Sequence, residues 1–150
     1  MDGYVIGPLP VELLPQAAAL EKVCFSMPWS EELLRRALAD PHQLWLGAVT
    51  GEQLLGYAGM QTVLDEGYID NIAVDPAFRR RGVASALLGR LIEIARGEGL
   101  AFLTLEVRES NLGAIALYEK HGFRVVGRRR GYYEKPREDA ILMTVTLGGA

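Results

Sequence analysis

Between Asn71 and Ser85 the chain reads Asn-Ile-Ala-Val-Asp-Pro-Ala-Phe-Arg-Arg-Arg-Gly-Val-Ala-Ser. An apolar strand runs into Asp75-Pro76, a short basic loop containing Gly82 follows, and then a long helix begins. Val83, Leu87, Leu88, Leu91, Ile92 and Ala95 mark the helix as an apolar face at three- and four-residue spacing, ending near Gly97. This junction constrains the chain more than any other feature. A helix opens with backbone N–H groups that have no carbonyl partner, and its dipole makes that end positive. Gly82 and the small Ala84 and Ser85 let a ligand approach the backbone, while Arg79, Arg80 and Arg81 add charge. The arrangement reads as an anion site, best suited to phosphate. The plainer reading is a strand-to-helix turn with solvated arginines. Neither Gly-x-x-x-x-Gly-Lys-Ser/Thr nor Gly-x-Gly-x-x-Gly occurs, so the common nucleotide loops are not expected.

The rest of the chain divides around that junction. Residues 4–6 can form a short strand, ended by Gly7-Pro8-Leu9-Pro10. Leu13, Ala17, Leu20 and Cys24 recur on one helical face, which Met27-Pro28 breaks. Ser30 can cap a second helix, with Glu31 and Glu32 in its first turn and Asp40-Pro41 as its stop. Trp29 and Leu34 stand at the positions of a hydrophobic staple. Residues 44–49 and 54–63 predict a hairpin, and residues 68–74 a further strand. Beyond the long helix, residues 101–107 are β-type, and Asn111 can cap a short helix to Lys120 with Gly122 at its stop. Residues 123–126 and 140–147 are the last strands, joined by a basic, tyrosine-bearing loop. The order β-α-α-β-β-β-α-β-α-β-β predicts an α/β protein: a mixed sheet with helices on its faces.

A length of 150 residues suits one domain, 1–150, able to bury a core without disulfides. With 49% hydrophobic and 23% charged residues, the composition excludes a disordered or collagen-like chain. A net charge of −3 gives no global field toward DNA or an anionic membrane, so neither is an expected partner. Cys24 is the one cysteine, which excludes an internal disulfide and fits a reducing compartment. The opening residues lack a basic stretch followed by an apolar run, so no signal peptide is expected, and no apolar stretch has the length to span a bilayer. These points lead to an expected cytoplasmic protein, with a monomer as the expected state.

Four residues ask for a reason. Glu106 lies on a strand whose Leu103, Leu105 and Val107 point one way, while Phe102, Thr104 and Glu106 point the other. It is either a rim carboxylate paired with an arginine or a general base, working through water on an attacking group. Cys24 falls on the apolar face of the first helix and is expected to be a small buried residue. His42 and His121 stand apart at a turn and a helix end, so no metal cluster and no cysteine–histidine pair is expected.

Arg79-x-x-Gly82-x-Ala84, set after Asn-Ile-Ala-Val-Asp-Pro and at the start of a long helix, resembles the Gln/Arg-x-x-Gly-x-Gly/Ala signature of the GNAT acetyltransferases. The resemblance extends over nearly the whole chain. A finer likeness, to the RimI-type protein N-terminal acetyltransferases, is carried by four segments. They are Phe25-Ser26-Met27-Pro28-Trp29-Ser30, Leu105 to Asn111, Ala114 to Glu119, and Tyr132-Tyr133 followed by Arg137-Glu138-Asp139-Ala140. The resemblance implies the GNAT fold, a mostly antiparallel central sheet splayed at the cofactor strand and flanked by helices. It implies acetyl-CoA as co-substrate and direct attack by an amine on the thioester in a ternary complex. The pyrophosphate would lie on the amides of Arg80 to Ser85 and the pantetheine arm along Ile72, Ala73 and Val74. The Val74 N–H would serve as oxyanion donor. Glu106 matches the family's base and Tyr118 its acid toward the thiolate; Asn111 would cap its helix and touch the cofactor arm. Taken alone, Tyr118 could equally be a packing tyrosine. With an ordinary phenol near 10 against a thiol near 8.5, its proton transfer would be only slightly uphill.

The acceptor side rests on Pro28, Trp29, Tyr132 and Tyr133, expected in two loops that flank a peptide entrance in RimI-like proteins. The resemblance implies the N-terminal alanine of a small-subunit ribosomal protein as substrate. Proton chemistry points the same way: at pH 7.5 about a third of an α-amine is unprotonated, against about 0.1% of a lysine. The competing readings are a GNAT enzyme for lysine or a small amine, and a non-catalytic module binding acetyl-CoA or RNA through Arg79–Arg81 and Arg128–Arg130.

Overall fold

The structure, a computed structural model, describes residues 3–148. Its elements follow the expected order: β1 (Val5–Pro8), α1 (Leu14–Cys24), α2 (Glu31–Ala39), β2 (Gln43–Thr50), β3 (Gln53–Val63), β4 (Glu66–Val74), α3 (Val83–Gly97), β5 (Phe102–Arg108), α4 (Leu112–Lys120), β6 (Arg124–Tyr133) and β7 (Glu138–Thr146). They build a seven-stranded sheet in the order β1-β2-β3-β4-β5-β7-β6. Every neighbouring pair is antiparallel except β4 and β5, the parallel pair that α3 connects.

The sheet separates two cores. Val83, Leu87, Leu88, Leu91, Ile92 and Ala95 of α3 are all buried, against Met60, Ile69, Leu103, Leu105 and Val107 of the strands, and α4 packs on the same cluster. On the other side, Leu14, Ala17 and Leu20 of α1 and Leu34 and Ala37 of α2 pack on Trp45, Leu54 and Tyr57. Gly59 makes this second core possible, because a Cβ there would stand 2.4 Å from the Trp45 ring.

Four expectations need correction. The first strand begins at Val5 and runs through Gly7 to Pro8. It is an edge strand, paired only with β2, where the missing proline N–H costs no ladder bond. The first helix opens with a 3₁₀ turn at Val11–Leu13 and becomes α-helical at Leu14. Its buried face carries Leu14, Ala17, Leu20 and Glu21, whereas Cys24 is only half-buried. The largest difference is β6, which continues through Arg128–Arg130 to Tyr133, so the basic tyrosine segment is strand rather than loop. As the other edge strand, β6 has little to bury, and Val125 and Val126 are exposed. It therefore lacks the alternation that identifies half-buried strands, and its charges blunt an open edge.

Candidate active site

The parallel ladder of β4 and β5 is short. It pairs Glu66 with Phe102, Gly67 with Leu103 and Tyr68 with Thr104, and then stops, although β4 continues to Val74 and β5 to Arg108. Beyond Tyr68 the strands part, and two adjoining clefts open there. On the other side of β4, the Asp75 N–H donates to the Leu55 C=O at 2.8 Å. Hydrogen-bonded pairs alternate along an antiparallel ladder. Ala73, opposite Tyr57, is therefore bonded to β3, while Ile72 and Val74 turn their backbone groups toward the gap.

The first cleft, of about 630 Å³, is lined by Ile72, Ala73, Val74, Arg79, Arg80, Gly82, Val83, Ala84, Ser85 and Asn111. Gly82 is the N-cap of α3 with φ of 75°, a backbone conformation that glycine adopts without cost. The first helical bond runs from Ala86 N–H to Gly82 C=O at 2.9 Å, so the amides of Val83, Ala84 and Ser85 precede the helical ladder. The first turn carries no acidic residue. Donors, charge and an open strand edge thus fit a phosphate-bearing ligand with an extended, amide-containing arm. Arg81 is not part of the lining; its guanidinium lies over the Phe78 ring, 5.4 Å from the centroid. Ser85 Oγ is engaged with His121 Nε2 at 2.8 Å, which brings the cap of α4 against the start of α3.

The second cleft, of about 830 Å³, is lined by Trp29, Asp70, Glu106, Arg108, Tyr132 and Tyr133 among others. It meets the first at Cys24, Phe25, Ile72, Asn111, Ala114 and Tyr118, which line both. Pro28 is exposed and stays outside the lining. Trp29 packs on Trp45 with ring centroids 5.3 Å apart, so its packing and cleft-lining roles coexist. Tyr132 and Tyr133 stack edge to face at 5.0 Å. Burial raises both phenols, and the nearby Glu106 charge raises them further. The arginine pairing expected of Glu106 is present, its Oε2 lying 2.7 Å from Arg129 Nε, and the carboxylate also lines the cleft.

Tyr118 sits where the clefts join, its ring 5.7 Å from Phe123. Burial pushes its phenol up to about 12. The phenol thus holds its proton more tightly than an ordinary one. The phenol is suited to donating a hydrogen bond while keeping its proton. Cys24, expected inside the core, lines both clefts instead: its Sγ–H donates to Val74 C=O at 3.7 Å, and Arg79 Nη2 donates to the same sulfur at 3.7 Å. Asn111 caps α4, its side chain accepting from Ala114 N–H at 3.1 Å.

Sequence reasoning missed three side chains here. Glu21 is fully buried and accepts from Trp29 N–H at 2.8 Å, from Asn71 Nδ2 at 2.7 Å and from the Tyr57 hydroxyl. It ties the segment after α1 to β3 and β4. Burial raises its carboxyl, while those donors lower it in part. A carboxylate inside the apolar stripe of α1 was the available signal. Arg108 bridges Ser26 Oγ at 2.9 Å, Glu134 C=O at 2.7 Å, Pro136 C=O at 2.9 Å and Glu138 at 3.1 Å, and lies 4.5 Å over the Tyr133 ring. It clasps both segments that flank the second cleft, and local sequence gives no sign of such distant partners. Asp70 is the third.

The family model described as Acetyltransferase (GNAT) family matches residues 14–123. The chain is 40% identical over 136 residues to the ribosomal protein bS18-alanine N-acetyltransferase of Escherichia coli (strain K12), covering 89% of this chain and 91% of that protein. It is 40% identical over 148 residues to the N-alpha-acetyltransferase RimI of Mycobacterium tuberculosis, covering 95% and 92%. The crystal structure of the ribosomal-protein-S18-alanine N-acetyltransferase from Escherichia coli superposes with a TM-score of 0.90 at 39% identity, covering 98% of this chain and 96% of that one.

Proposed function

The chain belongs to the GNAT acetyltransferase family and is an acetyl-CoA-dependent N-acetyltransferase; from that premise we propose how its residues divide the work and what they act on. The acceptor is the α-amine of a protein N-terminus, and within that class the N-terminal alanine of a small-subunit ribosomal protein. The observation that carries this reading is the meeting of a phosphate-suited cleft and an aromatic-walled cleft at Ile72 and Tyr118. The Escherichia coli relative's name gives a ribosomal-protein alanine as its acceptor, and the Mycobacterium tuberculosis relative's name gives an α-amine; both support the reading.

The pyrophosphate of acetyl-CoA lies on the amides from Arg80 to Ser85, neutralised by Arg79 and Arg80. The pantetheine arm adds to the free edge of β4 through Ile72 and Val74. The Val74 N–H then receives the charge that develops on the thioester oxygen. The first residues of the peptide enter between Trp29 and the Tyr132-Tyr133 pair. Glu106 takes a proton from the attacking nitrogen. Tyr118 donates a hydrogen bond to the departing sulfur, which Asn111 helps to position. No helix among the described residues is long and apolar enough to cross a membrane.

A matched pair of peptides tests the acceptor. One begins with free alanine and lacks lysine; the other is N-terminally blocked and carries an internal lysine. Acetylation of the first, located by mass spectrometry, is expected. Equal or faster acetylation of the blocked peptide would overturn the reading in favour of a lysine acceptor, and turnover of spermidine alone would favour a small amine. Acetyl-CoA binding with no turnover on any acceptor would favour a non-catalytic module.

A further inference from the structure

Asp70 has no part in the mechanism above, yet the backbone presents it to the second cleft. In the β3–β4 ladder, Gly59 pairs with Asn71 and Met60 with Ile69, so Asp70 is the extra residue of a bulge. Bulges re-aim side chains beside active sites. Continued two residues past Tyr68 and Thr104, the parallel register sets Asp70 opposite Glu106, where the strands have parted. Both carboxylates line the second cleft. Asp70 Oδ1 accepts from Gln61 Nε2 at 3.2 Å, whereas Oδ2 is buried and accepts no hydrogen bond. Burial, reinforced by the Glu106 charge, pushes this carboxyl up to about 6. That makes it a better proton acceptor near neutral pH than an ordinary carboxylate.

The chemistry calls for two acceptors. A protein α-amine arrives largely as an ammonium with three protons, and the amide product keeps one. Glu106 accounts for a single proton. We propose that Asp70 is a second catalytic carboxylate, which takes the first proton of the substrate's α-ammonium and leaves Glu106 to take the second as the C–N bond forms. The N–H bond breaks with its electron pair left on nitrogen, and an O–H bond forms at Asp70. That pair then makes the C–N bond, and the C–S bond breaks with its electrons going to sulfur. One of the two protons ends on the thiol, the other passes to solvent, and both carboxylates return to their ionised form. The inference rests on the N-terminal acetyltransferase reading and deepens it.

The test compares wild-type protein with Asp70→Asn, which keeps the side-chain shape and an acceptor for Gln61. Initial rates are measured from pH 6.5 to 9 on two peptides. One begins with alanine; the other begins with aza-alanine, whose terminal nitrogen is unprotonated across that range. About 5% of an α-amine is free at pH 6.5 and about a third at pH 7.5. Losing the first proton acceptor therefore lowers kcat/KM on the alanine peptide by up to about twentyfold at pH 6.5 and about threefold at pH 7.5. On the aza-alanine peptide the deficit does not grow as pH falls. The groups that face Asp70 are Gln61 of β3, Glu106 of β5 and Tyr132 of β6, with Glu21 of α1 in the same cleft. Gln61 carries no charge, and the Tyr132 phenol is raised further from neutrality. Glu106→Gln is the control, expected to slow both acceptors at every pH. Asp70→Ser serves as a second variant with the same expectation should the asparagine variant not fold. A deficit that is independent of pH and equal on both peptides would overturn the assignment and leave Asp70 a structural residue. Wild-type protein that acetylates neither peptide would instead defeat the N-terminal reading, and this inference with it.

Discussion

Gly82 and Asp70 show how single residues here separate stability from function. A Cβ on Gly82 would meet no atom within 4 Å, so crowding does not protect the position. Its φ of 75° costs an L-residue about 1 kcal/mol. Aspartate there would recover part of that cost by placing negative charge at the start of α3. The same carboxylate would repel a pyrophosphate on those amides. Gly82→Asp is therefore expected to fold with nearly unchanged Tm and to bind acetyl-CoA at least tenfold more weakly by calorimetric titration, a penalty of about 1.4 kcal/mol or more. Unchanged affinity would remove the phosphate-loop assignment. Asp70 behaves in the opposite sense. An unfolded aspartate ionises near 3.8, whereas the folded one holds its proton to about 6. Between those values the folded state binds more protons, so this contribution to stability is present at low pH, fades as pH rises through the window, and is absent above it. The shift from 3.8 to about 6 sets a ceiling of roughly 3 kcal/mol. Asp70→Asn should raise Tm by several degrees at pH 7.5 and give no gain near pH 4. A lower Tm at pH 7.5 would show that the carboxylate stabilises the ionised fold.

Among the elements, Arg108 at the end of β5 holds together the two segments that flank the second cleft. It reaches Ser26 between α1 and α2, and Glu134, Pro136 and Glu138 at the β6–β7 turn. Glu138 in turn accepts from Ser110 N–H at 2.6 Å, and its carboxyl is held below the ordinary range chiefly by Ser110, with Arg108 adding to it. Ser26 Oγ–H also donates to Glu134 C=O at 3.3 Å, so the two segments meet directly beside the arginine. Arg108→Ala should raise the peptide KM several-fold while acetyl-CoA affinity stays within about twofold, since the first cleft does not include it. Equal losses for both substrates would mean that the arginine supports the splayed sheet itself. The elements also show what the sequence could and could not display. The glycine turn into α3, the caps at Ser30 and Asn111 and the buried face of α3 were all legible, because each depends on residues close in sequence. Glu106 was legible as a carboxylate on an otherwise apolar strand. Arg108, Glu21 and Asp70 were not recognised as a set, because their partners lie up to 82 residues away or arise from a bulge that no local pattern announces. The edge strand β6 was truncated for a related reason: periodicity reports burial, and an edge strand has little of it.

Across the whole molecule, the sheet is held in two parts by only three paired positions between β4 and β5, and the open gap faces the backbone groups of Ile72 and Val74. A ligand arm lying there would supply the missing strand and couple the α1–α2 half to the β5–β7 half. Binding at a hundredfold excess over Kd stabilises any fold by about 2.7 kcal/mol, which for a chain of this size is roughly 5–10 °C in Tm. That rise alone does not locate the arm, but the pattern of hydrogen exchange does. Acetyl-CoA should slow exchange at the amides of Ile72 and Val74, whose N–H groups face the gap. Ala73 should change little, since its backbone is already engaged with Tyr57 on β3. Adenosine 3′,5′-bisphosphate, which carries phosphates but no pantetheine, should protect the amides of Val83 to Ser85 and leave Ile72 and Val74 unprotected. Equal protection of Ile72, Ala73 and Val74 by both ligands would mean general tightening of β4 and would sink the added-strand account. Protection confined to Ile72 and Val74, and only with the full cofactor, would fix the arm in the gap and the thioester beside Val74, between Glu106 and Tyr118.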